Sequence, residues 1–112
     1  MALGDLEQVT LFALVKLGGT GHGAAIASEI EESTGRRVAP GALYTVLQRM
    51  ADKGYVEGWI GDSTPERGGN RRKLYRVLPD GARELQIWYA GIQSVARGTA
   101  DRLRELAAGE GS

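Results

Sequence analysis

Apolar residues recur at helical spacing in three segments of the first half of the chain. Residues 5–17 are apolar around much of a helical circumference, which predicts a largely buried first helix. A second helix is predicted over residues 23–34, where Gly35 takes the position of a helix-ending glycine. Pro40 suits the first position of a third helix, because its fixed φ is helical and its missing N–H is not needed there. The apolar face of this third helix consists of Leu43, Val46, Leu47 and Met50.

The pattern then changes to the shorter period of β-strands. Residues 55–60 and 74–78 are rich in aromatic and branched side chains, and a polar segment with glycine and proline, residues 61–73, separates them. This arrangement predicts a β-hairpin with a long, basic tip. Trp59, on the first of these strands, is predicted to pack under the hairpin.

A last helix is predicted from Pro79 to about residue 107, because no further proline interrupts it. Steps of three and four residues give a nearly apolar seam through Leu85, Trp88, Ile92, Val95, Thr99, Arg102 and Leu106. A helix of roughly 40 Å, at about 1.5 Å per residue, is too long to bury this seam on so small a domain. A second chain is therefore predicted to cover it.

This order of elements predicts a mostly α fold with a β-hairpin, namely a winged helix-turn-helix followed by a long C-terminal dimerisation helix. The predicted division is a DNA-binding domain over residues 1–78, the dimerisation helix over residues 79–108 and a disordered tail over residues 109–112. With 112 residues and 42% apolar content, the chain is long enough for one core of this kind.

Charge is placed unevenly along the chain. Its 14 basic and 14 acidic residues cancel, but residues 36–76 hold nine bases and four acids, a net charge of +5. A basic segment in a neutral protein is the pattern expected where one face meets phosphate. The hairpin tip adds four cations in seven residues, which predict a contact with the DNA backbone, the alternative being a merely soluble loop. These cations are Arg67, Arg71, Arg72 and Lys73.

The outward face of the third helix carries side chains that can read DNA. Tyr44 and Thr45 offer hydroxyls, and Gln48 offers an amide that can make two hydrogen bonds to adenine. The start of the helix has backbone N–H groups that can bind phosphate. The alternative is an ordinary solvated face. The predicted DNA-binding residues of this helix are Pro40, Gly41, Tyr44, Thr45, Gln48 and Arg49.

The composition argues against an enzyme and predicts no cofactor. The chain has no cysteine, which excludes a thiolate metal site, and its one histidine, His22, argues against a histidine zinc site or a Ser-His-Asp triad. His22 is predicted to be a helix cap or a solvated residue, in preference to a pH sensor or metal ligand. The acidic residues, among them Glu7, are predicted to lie on solvated faces and in first helical turns. The lack of a long apolar run and of a secretory signal predicts a cytoplasmic protein with no membrane partner.

Two interpretations of Trp88, on the seam of the last helix, stay open. A buried interface residue is the plainer one, because large aromatic side chains dominate protein interfaces. In the other, Trp88 and its symmetry mate line a slot for a flat apolar ligand. Gly91 and Gly98, seven residues apart inside the same helix, would let another helix approach or leave room for that ligand. The predicted interface or ligand-binding residues are Trp88, Gly91, Ile92 and Val95.

Four co-linear segments resemble the PadR family of transcriptional regulators. They are LGDLE at residues 3–7, GRRVAPGALY at residues 35–44, TPERGG at residues 64–69 and YRVLPDG at residues 75–81. The resemblance covers about residues 3–90. It implies a winged helix with a C-terminal dimerisation helix, and usually repression of a nearby operon until a small molecule binds. The short C-terminal part is similar to the smaller PadR subfamily, in which aromatic side chains near the dimer interface can sandwich planar drugs.

Two departures from the family pattern bear on the operator contacts that the resemblance implies. Ala24 and Ala25 stand where the family often has a tyrosine and a glutamate, so that a tyrosine contact to phosphate is lost. Thr45 replaces a frequent proline, and Ala39 replaces a frequent serine.

The function predicted from these features is a sequence-specific, DNA-binding repressor. It would act as a homodimer on double-stranded operator DNA and be released by a small planar effector. An alternative from another class is a winged-helix module that docks on an acidic protein and never touches DNA. An enzyme ranks last, because one histidine and no cysteine supply no catalytic constellation.

Overall fold

A computed structural model describes residues 4–61 and 72–109 of the chain. Its elements follow in the order α1 (Asp5–Lys16), β1 (Thr20–His22), α2 (Gly23–Thr34), α3 (Pro40–Asp52), β2 (Val56–Ile60), β3 (Lys73–Val77), α4 (Pro79–Ala96) and α5 (Ala100–Ala107). The three N-terminal helices, the hairpin strands and their winged helix-turn-helix order confirm the predicted fold class.

Local chemistry accounts for the bounds of the first three helices. At the start of α1, the Gly4 N–H donates to Glu7 Oε1 at 2.7 Å, which satisfies a backbone donor that the helix leaves unpaired. Gly35 ends α2 with a φ of +76°, a left-handed conformation that suits glycine. Pro40 occupies the first turn of α3, as predicted.

The sheet has three antiparallel strands in the order β1-β3-β2, where the sequence predicted only the hairpin. Strand β1 pairs Gly21 with Tyr75 of the central strand, and β2 pairs Gly58 with the same tyrosine. A strand of three residues is too short to carry a detectable period, which is why the prediction missed it. A second correction concerns Lys73, which belongs to β3 and not to the predicted loop.

The core lies between α1, α2, α3 and the sheet, and α4 closes one side of it. The predicted apolar face of α3 is buried, with Leu47 and Met50 at most 1% exposed. Helix α4 contributes Gly81 and Leu85, which are buried, and Trp88, which is partly buried against the core. At Gly81 an added Cβ would lie 2.3 Å from the Tyr55 carbonyl oxygen, so α4 docks by direct backbone contact.

The prediction of one continuous helix over residues 79–108 is wrong. Helix α4 ends at Ala96, and α5 begins only at Ala100. Between them Gly98 adopts a φ of +78°, which is incompatible with a right-handed helix and is accessible to glycine at little cost. Gly98 is therefore not inside a helix, whereas Gly91 is.

Two further corrections concern single side chains. Glu7 is 5% exposed rather than solvated, since it accepts the Gly4 N–H and lies 3.0 Å from Lys53 Nζ. Trp59 is 38% exposed and is not part of the core, so it does not pack under the hairpin as predicted.

The molecule is elongated, with axes of 60, 27 and 22 Å and a radius of gyration of 17.0 Å. A compact chain of this length would have a radius of about 13 Å. The C-terminal part supplies the extension, and every residue from position 89 to position 109 is exposed. The division at residue 78 stays a prediction, and residues 110–112 of the predicted tail lie outside the described part.

Candidate nucleic-acid interface

Helix α3 presents its predicted polar face to solvent. Its apolar residues are turned into the core, which leaves Tyr44 54% exposed, Thr45 and Arg49 exposed and Gln48 half-buried. The Thr45 hydroxyl donates to the Gly41 carbonyl oxygen at 2.9 Å. Its methyl group and its oxygen lone pairs stay available to a ligand, while its proton is already used.

The start of α3 is suited to an anion. Pro40 and Gly41 are exposed, and Ala39, at the N-cap, has no side chain that could cap this end of the helix. The backbone N–H groups of the first turn therefore retain the partial positive charge with which a helix start attracts phosphate. This end lies on the same side of α3 as Tyr44, one turn further along.

Two of the four predicted wing cations lie in the described part of the chain. Arg72 is exposed, and its Nη1 lies 2.7 Å from His22 Nε2. Lys73 is half-buried, with its Nζ 5.9 Å from the centre of the Tyr75 ring. The other two, Arg67 and Arg71, lie outside the described residues.

The predicted DNA-binding cations differ from the rest in their ion pairing. Within residues 4–61 and 72–109, eight lysine or arginine side chains have a carboxylate within 4.0 Å. Arg49, Arg72 and Lys73 have none within that distance in the same ranges, and neither does Arg97. Three of these four unpaired cations are thus residues that sequence analysis assigned to DNA.

Arg49 stands apart from the two wing cations, because it lies near a carboxylate. Burial raises the pKa of the Glu7 carboxyl, but the Gly4 N–H and the charges of Lys53 and Arg49 outweigh it and leave that pKa lowered. Part of the positive charge of Arg49 is thus balanced inside the protein.

A pocket of about 330 Å³ lies between α2, α3 and the start of β3. His22 and Tyr75 line it together with Tyr44, Arg72 and Lys73 of the predicted DNA-binding set. Sequence analysis did not assign Tyr75 or the contact between His22 and Arg72 to the site. No sequence signal could have done so, because the contributing segments lie some 20 to 50 positions apart along the chain.

The predicted interface residues of α4 fall into two groups. Trp88 is half-buried, with its ring centre 6.2 Å from that of Phe12, so it packs partly within its own chain. Gly91 is exposed, Ile92 is 47% exposed and Val95 is 81% exposed, and nothing in the described chain covers them.

Two further observations concern the described residues. No three histidine, aspartate or glutamate side chains in the described ranges come together as a metal site. None of the described helices is both long and apolar enough to cross a membrane.

Comparisons with known proteins agree with this geometry. The sequence model of the family described as "Transcriptional regulator PadR-like family" matches residues 11–87. No curated protein matches the chain at a significant level.

Solved structures from three organisms share the fold. A transcriptional regulator from Thermoplasma acidophilum is 24% identical, with a TM-score of 0.71 over 89% of this chain and 94% of that one. A PadR-like regulator from Bacillus cereus is 21% identical, with a TM-score of 0.69 over 89% and 91%. Bacillus subtilis PadR, solved in complex with operator DNA, is 23% identical, with a TM-score of 0.64 over 75% of this chain and 47% of PadR.

Proposed function

The chain belongs to the PadR-like family of transcriptional regulators, and from this premise we propose that it binds operator DNA as a homodimer and represses transcription. Membership makes it a DNA-binding regulator of transcription and not an enzyme. We place it in the cytoplasm with its operator.

In this proposal the two α3 helices of the dimer enter successive major grooves. Half-sites about one helical turn apart, on a roughly palindromic operator, match the two-fold symmetry of such a dimer. Tyr44, Thr45 and Gln48 face the base edges, and the first-turn N–H groups of α3 meet a phosphate. Arg72 and Lys73, with Arg67 and Arg71 of the wing, bind the sugar-phosphate backbone.

The pairing of charges is the observation that carries this proposal. A protein that needs cations only for solubility can balance them internally, as eight of this chain's described cations are balanced. Arg72 and Lys73 lack a carboxylate within 4.0 Å in the described chain and lie beside α3. Such charges are available to release counterions from DNA phosphates.

Salt dependence of DNA binding tests the wing. Replacing Arg72 and Lys73 together by alanine should lower affinity for operator and random duplexes alike. It should reduce the log–log salt slope by about 3–4, because each dimer loses four cations. Arg76→Ala is the matched control, because Arg76 lies on the same strand but already pairs with Glu57. If the salt slope of the double variant were unchanged, the wing would not contact DNA phosphates.

Sequence preference tests α3. Gln48→Ala should alter the ranking among duplexes that differ at one base pair, with a change of about 1–3 kcal/mol at that position. Its salt slope should stay the same, because an amide neutralises no phosphate. If Gln48→Ala weakened binding equally on every duplex, Gln48 would position the helix on DNA and would not read a base.

The C-terminal helices supply dimerisation and, we propose, the effector slot. Trp88 is covered by Phe12 on one side, and Ile92 and Val95 continue the seam beyond the core. A planar effector would stack between Trp88 and its symmetry mate and release the operator. In a Trp59→Phe background, planar aromatic compounds that release DNA should quench the remaining tryptophan fluorescence. Release that survives Trp88→Leu would place the effector elsewhere.

A further inference from the structure

The pocket between α2, α3 and β3 has apolar walls. Leu43 and Leu47 of α3 are 3% and 1% exposed, and Ala24 and Ala27 of α2 face the same space. Small side chains on α2 leave a volume of about 330 Å³, within the range of about 300–1,000 Å³ that small-molecule sites occupy. The pocket is thus large enough for a small apolar molecule.

The rim of the pocket is positive. Arg72 and Lys73 border it, and neither has a carboxylate within 4.0 Å in the described chain. The starts of α2 and α3 also lie at this rim, through Gly23 and Pro40, and neither helix has a capping hydrogen bond from the side chain of its N-cap residue. The contact of Arg72 with His22 uses one of five guanidinium N–H groups, which leaves donors for an anion.

A phenolic hydroxyl on the central strand adds a hydrogen-bond donor to the pocket. Tyr75 lines it, and the residue as a whole is 2% exposed. Burial, and to a lesser extent Tyr44, raises the pKa of the Tyr75 hydroxyl, so that it keeps its proton and can donate.

We propose that this pocket binds an apolar molecule that carries a single carboxylate. The apolar body lies between α2 and α3, against Ala24 and Leu47, and the carboxylate accepts hydrogen bonds from Arg72 and the Tyr75 hydroxyl. A neutral analogue leaves the positive rim unmatched, and a small hydrophilic anion leaves the walls unfilled.

Regulation follows from the overlap of two sets of residues. Pro40, Tyr44, Arg72 and Lys73 border the pocket and belong to the proposed DNA interface. A bound carboxylate neutralises the charge that would meet phosphate, so ligand and DNA exclude each other. This consequence rests on the proposed function, whereas binding of the ligand does not. The site is also separate from the proposed slot at Trp88.

Binding is tested without DNA, on the full chain, by calorimetry. Decanoate and 2-naphthoate are the probes, one with a flexible and one with a flat apolar body, and decanamide, 2-naphthamide and acetate are the controls. At least one carboxylate probe should bind about tenfold or more tightly than its amide, because hydrogen bonds to charged groups are the stronger ones. Acetate should not bind.

Matched variants locate the site. Ala24→Leu fills the pocket and should weaken the probe about tenfold or more, whereas Ser28→Leu, one turn further along α2, should leave it within about twofold. Both positions are exposed, so the added side chain does not enter the core. Arg72→Gln should weaken the carboxylate and spare its amide, and Arg76→Gln should change neither.

Three results would overturn the proposal. They are the failure of both probes to bind, binding that Ala24→Leu leaves unchanged, and binding that only Trp88→Leu abolishes. The regulatory step is tested separately, by measuring the apparent Kd for a duplex at several concentrations of the probe. This Kd should rise linearly with the free concentration of the probe, without reaching a plateau. A probe that binds to a chain without DNA affinity contradicts the proposed function and leaves the pocket in place. A probe that binds together with DNA contradicts the competition alone.

Discussion

At the scale of single residues, the charged side chains form two groups with different roles. One group is balanced internally, and the pair of Glu7 and Lys53 is its most buried member, with 6% and 31% of the two side chains exposed. The other group, Arg72 and Lys73, lies beside α3 without a carboxylate within 4.0 Å in the described residues. Stability should therefore depend on the first group and DNA affinity on the second.

Glu7 should make stability depend on pH. Its carboxylate accepts the Gly4 N–H at the start of α1 and forms an ion pair with Lys53, which lies just beyond α3. Glu7→Gln should therefore destabilise the protein by about 1–2 kcal/mol at neutral pH. Because the pKa of Glu7 is lowered in the folded state, its contribution is present above the ordinary value of 4.5 and is lost as the pH falls through the lowered pKa.

Urea unfolding at neutral pH and at about pH 3 measures this effect. The difference between wild type and Glu7→Gln should shrink on acidification. Glu31→Gln is the control, because Glu31 is exposed and lies 3.8 Å from Arg37, so its loss should change stability by less than about 0.5 kcal/mol. A difference for Glu7→Gln that stays constant with pH would show that its carboxylate charge does not stabilise the fold.

At the scale of elements, the described sheet and the first three helices form a unit onto which α4 docks, and its tightest contact is made by backbone atoms. That contact joins Gly81 to the Tyr55 carbonyl, which also accepts a hydrogen bond from the Leu78 N–H at 2.9 Å. The helix that leads to the proposed dimer interface is thus fixed to the DNA-binding part by backbone atoms, which cannot move aside as a side chain can.

Gly81→Ala should therefore destabilise the protein strongly. The added Cβ would lie 2.3 Å from the Tyr55 oxygen, so α4 must shift, at a cost of about 2–3 kcal/mol. Gly41→Ala is the control, because an added Cβ there meets nothing within 4 Å, and its stability should stay the same or rise. Thermal or urea unfolding gives both values. A Gly81→Ala protein as stable as the wild type would mean that α4 does not dock by this contact.

The sequence pattern predicted the elements whose apolar residues recur at regular spacing. It missed the elements whose conformation depends on a single residue or on a strand far away in the sequence. The helices α1 to α3 bury one side of a regular apolar repeat, and Pro40 and Gly35 mark two of their bounds. The break at Gly98 has no such signature, because glycine is tolerated inside helices at a cost of about 1 kcal/mol and its φ is set by the fold. Strand β1 exists only because β3 is there to pair with it.

The candidate site divides in the same way. Its α3 residues share one helical face, so spacing alone placed Tyr44, Thr45 and Gln48 together. The pocket needs segments 22–27, 40–47 and 72–75 to meet, and no local rule brings them together. The burial of Glu7 depends likewise on Lys53, which lies 46 positions away.

At the scale of the whole molecule, shape and exposed apolar surface point to a second copy. The radius of gyration of 17.0 Å exceeds the value of about 13 Å for a compact chain, and apolar side chains cover the extension. They are Ile87, Tyr89, Ile92, Val95, Leu103 and Leu106, between 46% and 81% exposed. An apolar surface of this kind is favourable only when it is covered.

Dimerisation should be lost when charge is placed on this seam. Ile92→Glu combined with Val95→Glu leaves the monomer intact, because both side chains are already exposed, but would bury two carboxylates in the dimer. Gln86→Glu with Gln93→Glu is the matched control, since both residues are exposed, already polar and off the seam through Trp88, Ile92 and Val95. Sedimentation should give a monomer for the seam variant and a dimer for the control.

The same pair of variants separates dimerisation from DNA contact. A monomer engages one half-site at a time, so the seam variant should lose affinity for a two-half-site operator by about 100-fold or more and bind a single half-site as the wild type does. The control should retain both affinities. If the seam variant stayed dimeric, the apolar extension would belong to another contact and the spacing of the half-sites would need another origin. If it became monomeric and kept full operator affinity, each chain would read DNA alone, and the α4 seam would serve a purpose other than pairing the two α3 helices.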